Sequence, residues 1–381
     1  MLFELSPSER LFHQQVSTLC AELVAPRARE RDVAGTFPSD ILPYLTEMGL
    51  LGVNVPQAYG GSARGSVAYA LAIRELASAD ASVAVTVAVT NMVAEILCRF
   101  GSEDQKQKFV VPLVSGKLGV GSFALSESNS GSDAASLRTQ AALTDGCYVL
   151  TGSKSWITSG DRAGVIIVYA RTSMAHKQRG ISAFIVEPGF TGFASGKSEH
   201  KLGLRGSSTV SLTFDECRVP VTNLIGHEGM GFTIAMTALD GGRIGIAAQA
   251  IGIASSAFNE AVRIVSGPGG GKAALSETYS VQNVIANIAT ELDAAWLLTL
   301  RAARSKDSGE PFTREAAMAK LYSTEAANRV CEAALRLGGS QALVADSALS
   351  RALRDVRVTT IYEGTSEVQR IVIARECFRN R

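Results

Sequence analysis

The chain has 381 residues, 46% of them hydrophobic, enough to bury sizeable cores and, by length, to build two or three domains. Its 37 Lys and Arg balance 36 Asp and Glu to a formal net charge of +1, so no nucleic acid and no anionic membrane is expected as a partner, and any anionic ligand must be held locally. The six cysteines (Cys20, Cys98, Cys147, Cys217, Cys331, Cys377) form no CxxC pair and have no His at ligand spacing, while His13, His176, His200 and His227 are isolated; reduced thiols and no metal site are expected.

The opening Met1-Leu2-Phe3-Glu4-Leu5 lacks the charged start and apolar core of a signal peptide and the Arg-rich look of a transit peptide, which predicts a cytoplasmic protein. Ser6-Pro7-Ser8-Glu9 is a capping box with Pro at the first helical position, and Leu11, Phe12, Val16, Leu19 and Leu23 follow at helical spacing. A second helix is expected from about Ser39-Asp40 to Gly49, ahead of the turn Tyr59-Gly60-Gly61. Helical patterns resume over 67–76 and 81–100, and Ser102-Glu103 begins another. The weakly polar run 81–94, with Thr86, Thr90 and Asn91 inside it, is too short to span a bilayer and reads as a buried helix.

From Val120 the pattern changes to β-like runs at 147–150, 165–170, 181–186 and 210–214, bounded by turn residues. Ser211, Thr213 and Asp215 alternate with Val210, Leu212 and Phe214, as in a strand with one wet face. After Gly226, helical patterns at 231–265, 280–306, 313–337 and from Ser366 predict a bundle. The fold class is therefore α+β in three parts: an N-terminal helical domain over 1–120, a middle antiparallel β-barrel or sheet domain over 121–226, and a C-terminal four-helix bundle over 227–381.

Four stretches carry the chemistry. Phe123-Ala124-Leu125-Ser126-Glu127-Ser128-Asn129-Ser130-Gly131-Ser132-Asp133 is a polar turn-forming segment able to offer N–H groups and hydroxyls to a polar ring edge or an anion. Trp156-Ile157-Thr158 sets a flat aromatic face beside a hydroxyl. Asp240-Gly241-Gly242-Arg243 places an acid and a base three apart on one helix face. By residue type alone these are equally an ordinary loop, a core Trp and a surface ion pair. In the fourth, the β-branched run Val358, Thr359, Thr360, Ile361 interrupts a helical pattern, and Gly364 permits a positive φ just after Glu363. Glu363 thus sits at a corner beside Ile361 and the ring of Tyr362. Desolvation there would raise its pKa toward that of a general base; the alternative is a loop carboxylate capping the helix from Ser366. The run 267–272 is not a phosphate loop, because Lys272 precedes Ala273 rather than Ser or Thr and Ser266 stands where the first glycine belongs.

These stretches resemble one family. Residues 361–369, IYEGTSEVQ, are similar to the catalytic segment of the acyl-CoA dehydrogenases; the spacing A-L-S-E-x-x-S-G-S-D resembles their first signature; Trp156-Ile157-Thr158 resembles their W-I-T/S triplet, with Ser159 where Asn is usual; and Lys201 to Phe232 resembles their passage into the C-terminal domain. The likeness covers nearly the whole chain and is nearest the short-chain, butyryl-CoA type. It implies FAD, with Phe123, Leu125, Ser126, Ser132, Trp156, Ile157, Thr158, Gly338, Gly339, Thr365 and Glu367 as cofactor contacts. It implies Ser132, Asp240, Arg243, Tyr362 and Gly364 as contacts of an acyl-CoA thioester, with Glu363 as the catalytic base. In the implied reaction Glu363 removes the α-proton and the β-hydride passes to flavin N5, giving the trans-2-enoyl thioester, while the thioester oxygen is bound by the flavin ribityl and the N–H of this same Glu. The implied partners are an electron-transferring flavoprotein and further copies of the chain in a homotetramer, a dimer of dimers. The chain departs from the family at the corner where R-x-x-F-G and a following Gln are usual: Pro268, Gly271 and Tyr279 stand at those places, with Arg263, Lys272 and Gln282 nearby. Two other readings stay open, an acyl-carrier-protein dehydrogenase of secondary metabolism and a flavin-free binding protein of the same fold.

Overall fold

The structure, a computed structural model, describes residues 4–267 and 275–379; the expected departures at Pro268 and Gly271, and the nearby Lys272, lie outside the described residues. The capping box forms as expected: Ser6 Oγ accepts from the Glu9 N–H at 3.2 Å, the Glu9 carboxylate accepts from the Ser6 N–H at 2.6 Å, and the helix runs Pro7–Leu19. The helices Gly65–Ala79 and Ala81–Phe100 follow, the second started by Asp80, whose carboxylate accepts from the Ser82 N–H at 2.9 Å.

Ala81–Phe100 is the buried helix that was expected, although it extends past the apolar run 81–94. It is a single helix of 20 residues, long and apolar enough to cross a membrane, yet 89% of its most apolar window is buried inside the molecule. Its polar residues are matched internally. Thr86 and Thr90 donate to backbone oxygens four residues back, and Asn91 donates to Leu50 O at 2.7 Å while accepting from the Val53 N–H at 2.8 Å.

The middle domain is one sheet of eight strands: β1 Val120–Ala124, β2 Gln140–Thr144, β3 Cys147–Thr158, β4 Ala163–Arg171, β5 Ile181–Val186, β6 Phe193–Ser195, β7 Thr209–Pro220 and β8 Leu224–Ile225. The order is β6-β7-β3-β2-β4-β5-β8, with β1 on β4. Most pairs are antiparallel as expected, but β1 and β2 each meet β4 in parallel. The strands β3 and β7 run well past the apolar patches that flagged them. Register shifts at Leu150/Gly152 and Lys154/Ile157 break the two-residue alternation, so the pattern fades although the pairing continues.

The C-terminal helices Gly231–Ser266, Tyr279–Asp307, Thr313–Leu337 and Ser366–Arg379 form the expected bundle, and the first also packs on Gly65–Ala79. That crossing is tight because glycine and alanine line it: a Cβ added at Gly252 would stand 2.2 Å from Arg74 O and 2.8 Å from the Ala77 Cβ. One apolar core joins the N- and C-terminal helices, and a second joins Ala81–Phe100, the sheet and the start of Gly231–Ser266. The β-branched run at Arg357–Thr360 forms a 3₁₀ turn, after which the chain turns its corner at residues 363 and 364.

Candidate active site

Glu363 and Gly364 both adopt the left-handed region, φ +51° and +89°. For a Glu this is uncommon and is held by surrounding contacts. Gln369 Nε2 donates to Glu363 O at 3.2 Å and to Gly364 O at 2.9 Å, and Lys320 Nζ donates to Gly364 O at 2.7 Å. The corner turns the carboxylate inward. Although residue 363 as a whole is half-buried, its Oε2 is sealed from solvent and has no hydrogen-bond partner among the described residues. Burial raises the carboxyl from the usual 4.5 to about 7, against the opposing pull of the Lys320 and Arg243 charges.

Three of the four residues of D-G-G-R, Asp240, Gly242 and Arg243, have a structural role beside the carboxylate. A Cβ at Gly242 would lie 2.0 Å from Glu363 Oε2 and 2.8 Å from Met92 Cε, so the absent side chain is what makes room for the base. Arg243 is 5% exposed and pairs with Asp240, which also accepts from Thr313 Oγ1 at 2.7 Å. Its guanidinium charge reaches Glu363. Arg243 is thus a buried cation near the carboxylate, held by a half-buried Asp240, and the two are not a solvated surface pair. Tyr362 Oη donates to Gln249 Oε1 on the same long helix, and Tyr69 packs against Gly245, where an added Cβ would stand 2.4 Å from the Tyr69 Oη. A cavity of about 260 Å³ is lined by Tyr69, Met92 and Gly242 among others, and its walls carry the Glu95–Lys306 ion pair at 2.7 Å.

Of the expected cofactor contacts, Phe123 lies on β1, Trp156, Ile157 and Thr158 on β3, and Leu125, Ser126 and Ser132 on the loop after β1. Ser155 N–H donates to Ser126 O at 3.0 Å, tying the loop after β1 to β3. Lys154, fully buried, donates to Leu125 O at 3.1 Å and to Glu127 Oε1 at 2.7 Å; Glu127 also accepts from the Arg138 and Thr139 N–H groups at 2.6 and 3.0 Å. Phe123 packs its ring on Tyr169 with centroids 5.1 Å apart, and Ser132 is exposed on the loop. Ile157 is core, 1% exposed, and Thr158 O accepts from Ser122 Oγ at 2.7 Å. Trp156, by contrast, has φ +60° and is 66% exposed, a large flat ring presented rather than packed. It is therefore not the core Trp that its residue type alone would favour.

Thr365, Ser366 and Glu367 line a second cavity of about 350 Å³ with Asn328, Arg357 and Thr360. Gly338 and Gly339 lie apart from both cavities' linings, at the end of Thr313–Leu337; Gly339 has φ +59° and open space beside it. Arg263 is exposed and paired with Glu260, Tyr279 is 80% exposed, and Gln282 Nε2 donates to Ser276 O.

Residue typing missed Lys320, Gln369, Gln249 and Lys154. For Lys320 a signal existed: Ala316, Ala319, Ser323, Ala327 and Val330 mark the buried face of its helix, and position 320 falls on that face. A lysine there asks for an anion.

This geometry can be set beside known proteins. Residues 6–117, 122–217 and 229–378 match, in order, the N-terminal, middle and C-terminal domains of the acyl-CoA dehydrogenases. The mouse mitochondrial short-chain specific acyl-CoA dehydrogenase is 40% identical over 378 residues, 99% of this chain and 92% of that protein. The solved butyryl-CoA dehydrogenase of Megasphaera elsdenii superposes with a TM-score of 0.96 at 38% identity, covering 99% of this chain and 100% of that one. A chain solved in work on the electron-transferring flavoprotein of Acidaminococcus fermentans gives 0.97 at 37%, covering 99% of each. With all three domains matched in order along nearly the whole chain, and relatives about 40% identical over their length, this chain belongs to the acyl-CoA dehydrogenase family.

Proposed function

We propose that this FAD-dependent acyl-CoA dehydrogenase oxidises short acyl-CoA thioesters between Cα and Cβ, with Glu363 as the base. The observation that carries the reading is the sealed, unpartnered Glu363 Oε2, with a pKa of about 7, beside a cavity of about 260 Å³. A carboxylate so placed is poised between holding and releasing a proton near neutral pH. It takes the α-proton as the Cα–Cβ double bond forms, and the β-hydrogen leaves with the bonding electron pair. When bound, FAD supplies the acceptor for that hydride, at flavin N5. The small cavity, with Met92, Ile96 and Ala238 in its walls, supports a short acyl chain.

The residues suit a flavin. Trp156 offers an exposed ring where stacking would bury it, and the buried hydroxyls Ser159 Oγ and Ser366 Oγ have no partner among the described residues. Leu125, Ser126 and Thr158 would face the ring from the sheet side, with Thr365 and Glu367 at the second cavity. Asp240 and Arg243 would bind the thioester. Electrons would pass on to an electron-transferring flavoprotein, a reading supported by the likeness to the Acidaminococcus fermentans chain. The bundle would assemble as a homotetramer, which light scattering tests.

The experiment is anaerobic mixing of purified flavoprotein with butyryl-CoA, watching the flavin band and the product. Bleaching with formation of the 2-enoyl thioester supports the reading. Bleaching only by the acyl-carrier-protein thioester would move the substrate to that carrier, and a protein isolated without flavin and unable to bind FAD would sink it.

A further inference from the structure

We infer that Lys320 is a positioning residue for Glu363, fixing the left-handed corner through Gly364 O and supplying the cation that favours the ionised base. The inference rests on the dehydrogenase reading above and adds to it a residue that none of the four chemistry-bearing stretches of the sequence contains. Lys320 sits on Thr313–Leu337, fully buried, with Nζ 2.7 Å from Gly364 O. The same oxygen already accepts from Gln369 Nε2 at 2.9 Å.

A neutral donor therefore suffices for the carbonyl, and burying an ammonium to add a second hydrogen bond is unfavourable without a counter-charge. The counter-charge is Glu363. Two cations face that carboxylate, Lys320 from Thr313–Leu337 and Arg243 from Gly231–Ser266, alongside the phenols of Tyr69 and Tyr362, both kept neutral by burial. Facing Lys320 are Glu363, Arg243, and the more distant Glu325 and Glu367. Arg243 is already engaged by Asp240, whereas among the anions that act on Lys320 the base itself has the strongest effect. Burial draws Lys320 down to about 8, and Glu363 holds it up, as expected for a pair that shares one site.

The sign of the effect follows. A neighbouring cation lowers a carboxyl pKa, by about 1 to 3 units at close range, so removing it raises the pKa of Glu363. In Lys320→Met the acid limb of anaerobic flavin bleaching by butyryl-CoA should move up by about one pH unit, and the rate at pH 7 should fall about fivefold. Lys320→Arg, which keeps the charge, should restore the wild-type limb. An isotope-edited infrared titration of the Glu363 carboxyl, taken as wild type minus Glu363→Gln, should show the same upward shift in flavin-free protein. If Lys320→Met does not fold, Lys320→Gln, with a donor but no charge, is read in its place. A slower rate with both the limb and the carboxyl midpoint unmoved would overturn the inference and leave Lys320 as packing alone. If wild type carries flavin that no acyl thioester bleaches, the dehydrogenase reading itself fails, and the inference falls with it; wild-type bleaching with an unmoved variant sinks only the inference.

Discussion

Glu363→Gln separates function from stability in opposite directions. In the folded protein the carboxyl binds its proton more tightly than in the unfolded chain, where 4.5 is usual, because ionising it at about 7 means placing charge in a buried site. Ionisation therefore costs stability, fully above pH 7, progressively less between 7 and 4.5, and not at all below. The difference of about two and a half pH units, at about 1.4 kcal/mol per unit, comes to about 3 kcal/mol. Gln keeps the shape and never ionises. The variant should lose bleaching by butyryl-CoA altogether, yet melt a few degrees above wild type at pH 8 and alongside it at pH 4.5, as read by circular dichroism on flavin-free protein. In wild type the bleaching rate should rise about tenfold from pH 6 to pH 8, following ionisation of a group near 7. Equal melting differences at both pH values would refute the argument that burial, rather than a partner, sets this pKa; bleaching of the Gln variant at the wild-type rate would remove Glu363 as base.

Trp156→Ala should lower flavin retention on dialysis, seen as a falling ratio of flavin to protein absorbance, while the melting of flavin-free protein changes by less than about 0.5 kcal/mol, since the ring is exposed. A large loss of stability instead would make it a core residue. Lys154→Met leaves the Glu127 carboxylate, 9% exposed, without its cation, and should cost about 3 kcal/mol in urea denaturation together with flavin retention. Gly252→Val should destabilise by about 2 kcal/mol or more, because the new Cβ would meet Arg74 O at 2.2 Å; a neutral outcome would show that the two helices part easily.

Much of the architecture was written in local pattern. The capping box at Ser6, the 3.6-residue periodicity of Thr313–Leu337 and the apolar run of β5 are short-range signals, and each formed where expected. The corner at Glu363 was legible for the same reason: stiff β-branched residues before it and a glycine after it disfavour helix in any context. Strand ends were less legible, since bulges in β3 change the face without ending the pairing.

The state of the base belongs to tertiary structure alone. Whether Glu363 caps a helix or is sealed with a raised pKa depends on Gly242, Arg243 and Lys320, residues 43 to 121 positions away that meet only when the helices pack. Whether Trp156 fills the core or faces outward turns on a positive φ at one strand bulge, and whether Asp240–Arg243 is a surface pair or a buried one turns on what covers it. Sequence spacing fixes which side chains share an element; the low-dielectric surroundings that set their chemistry arise from elements far apart in the chain.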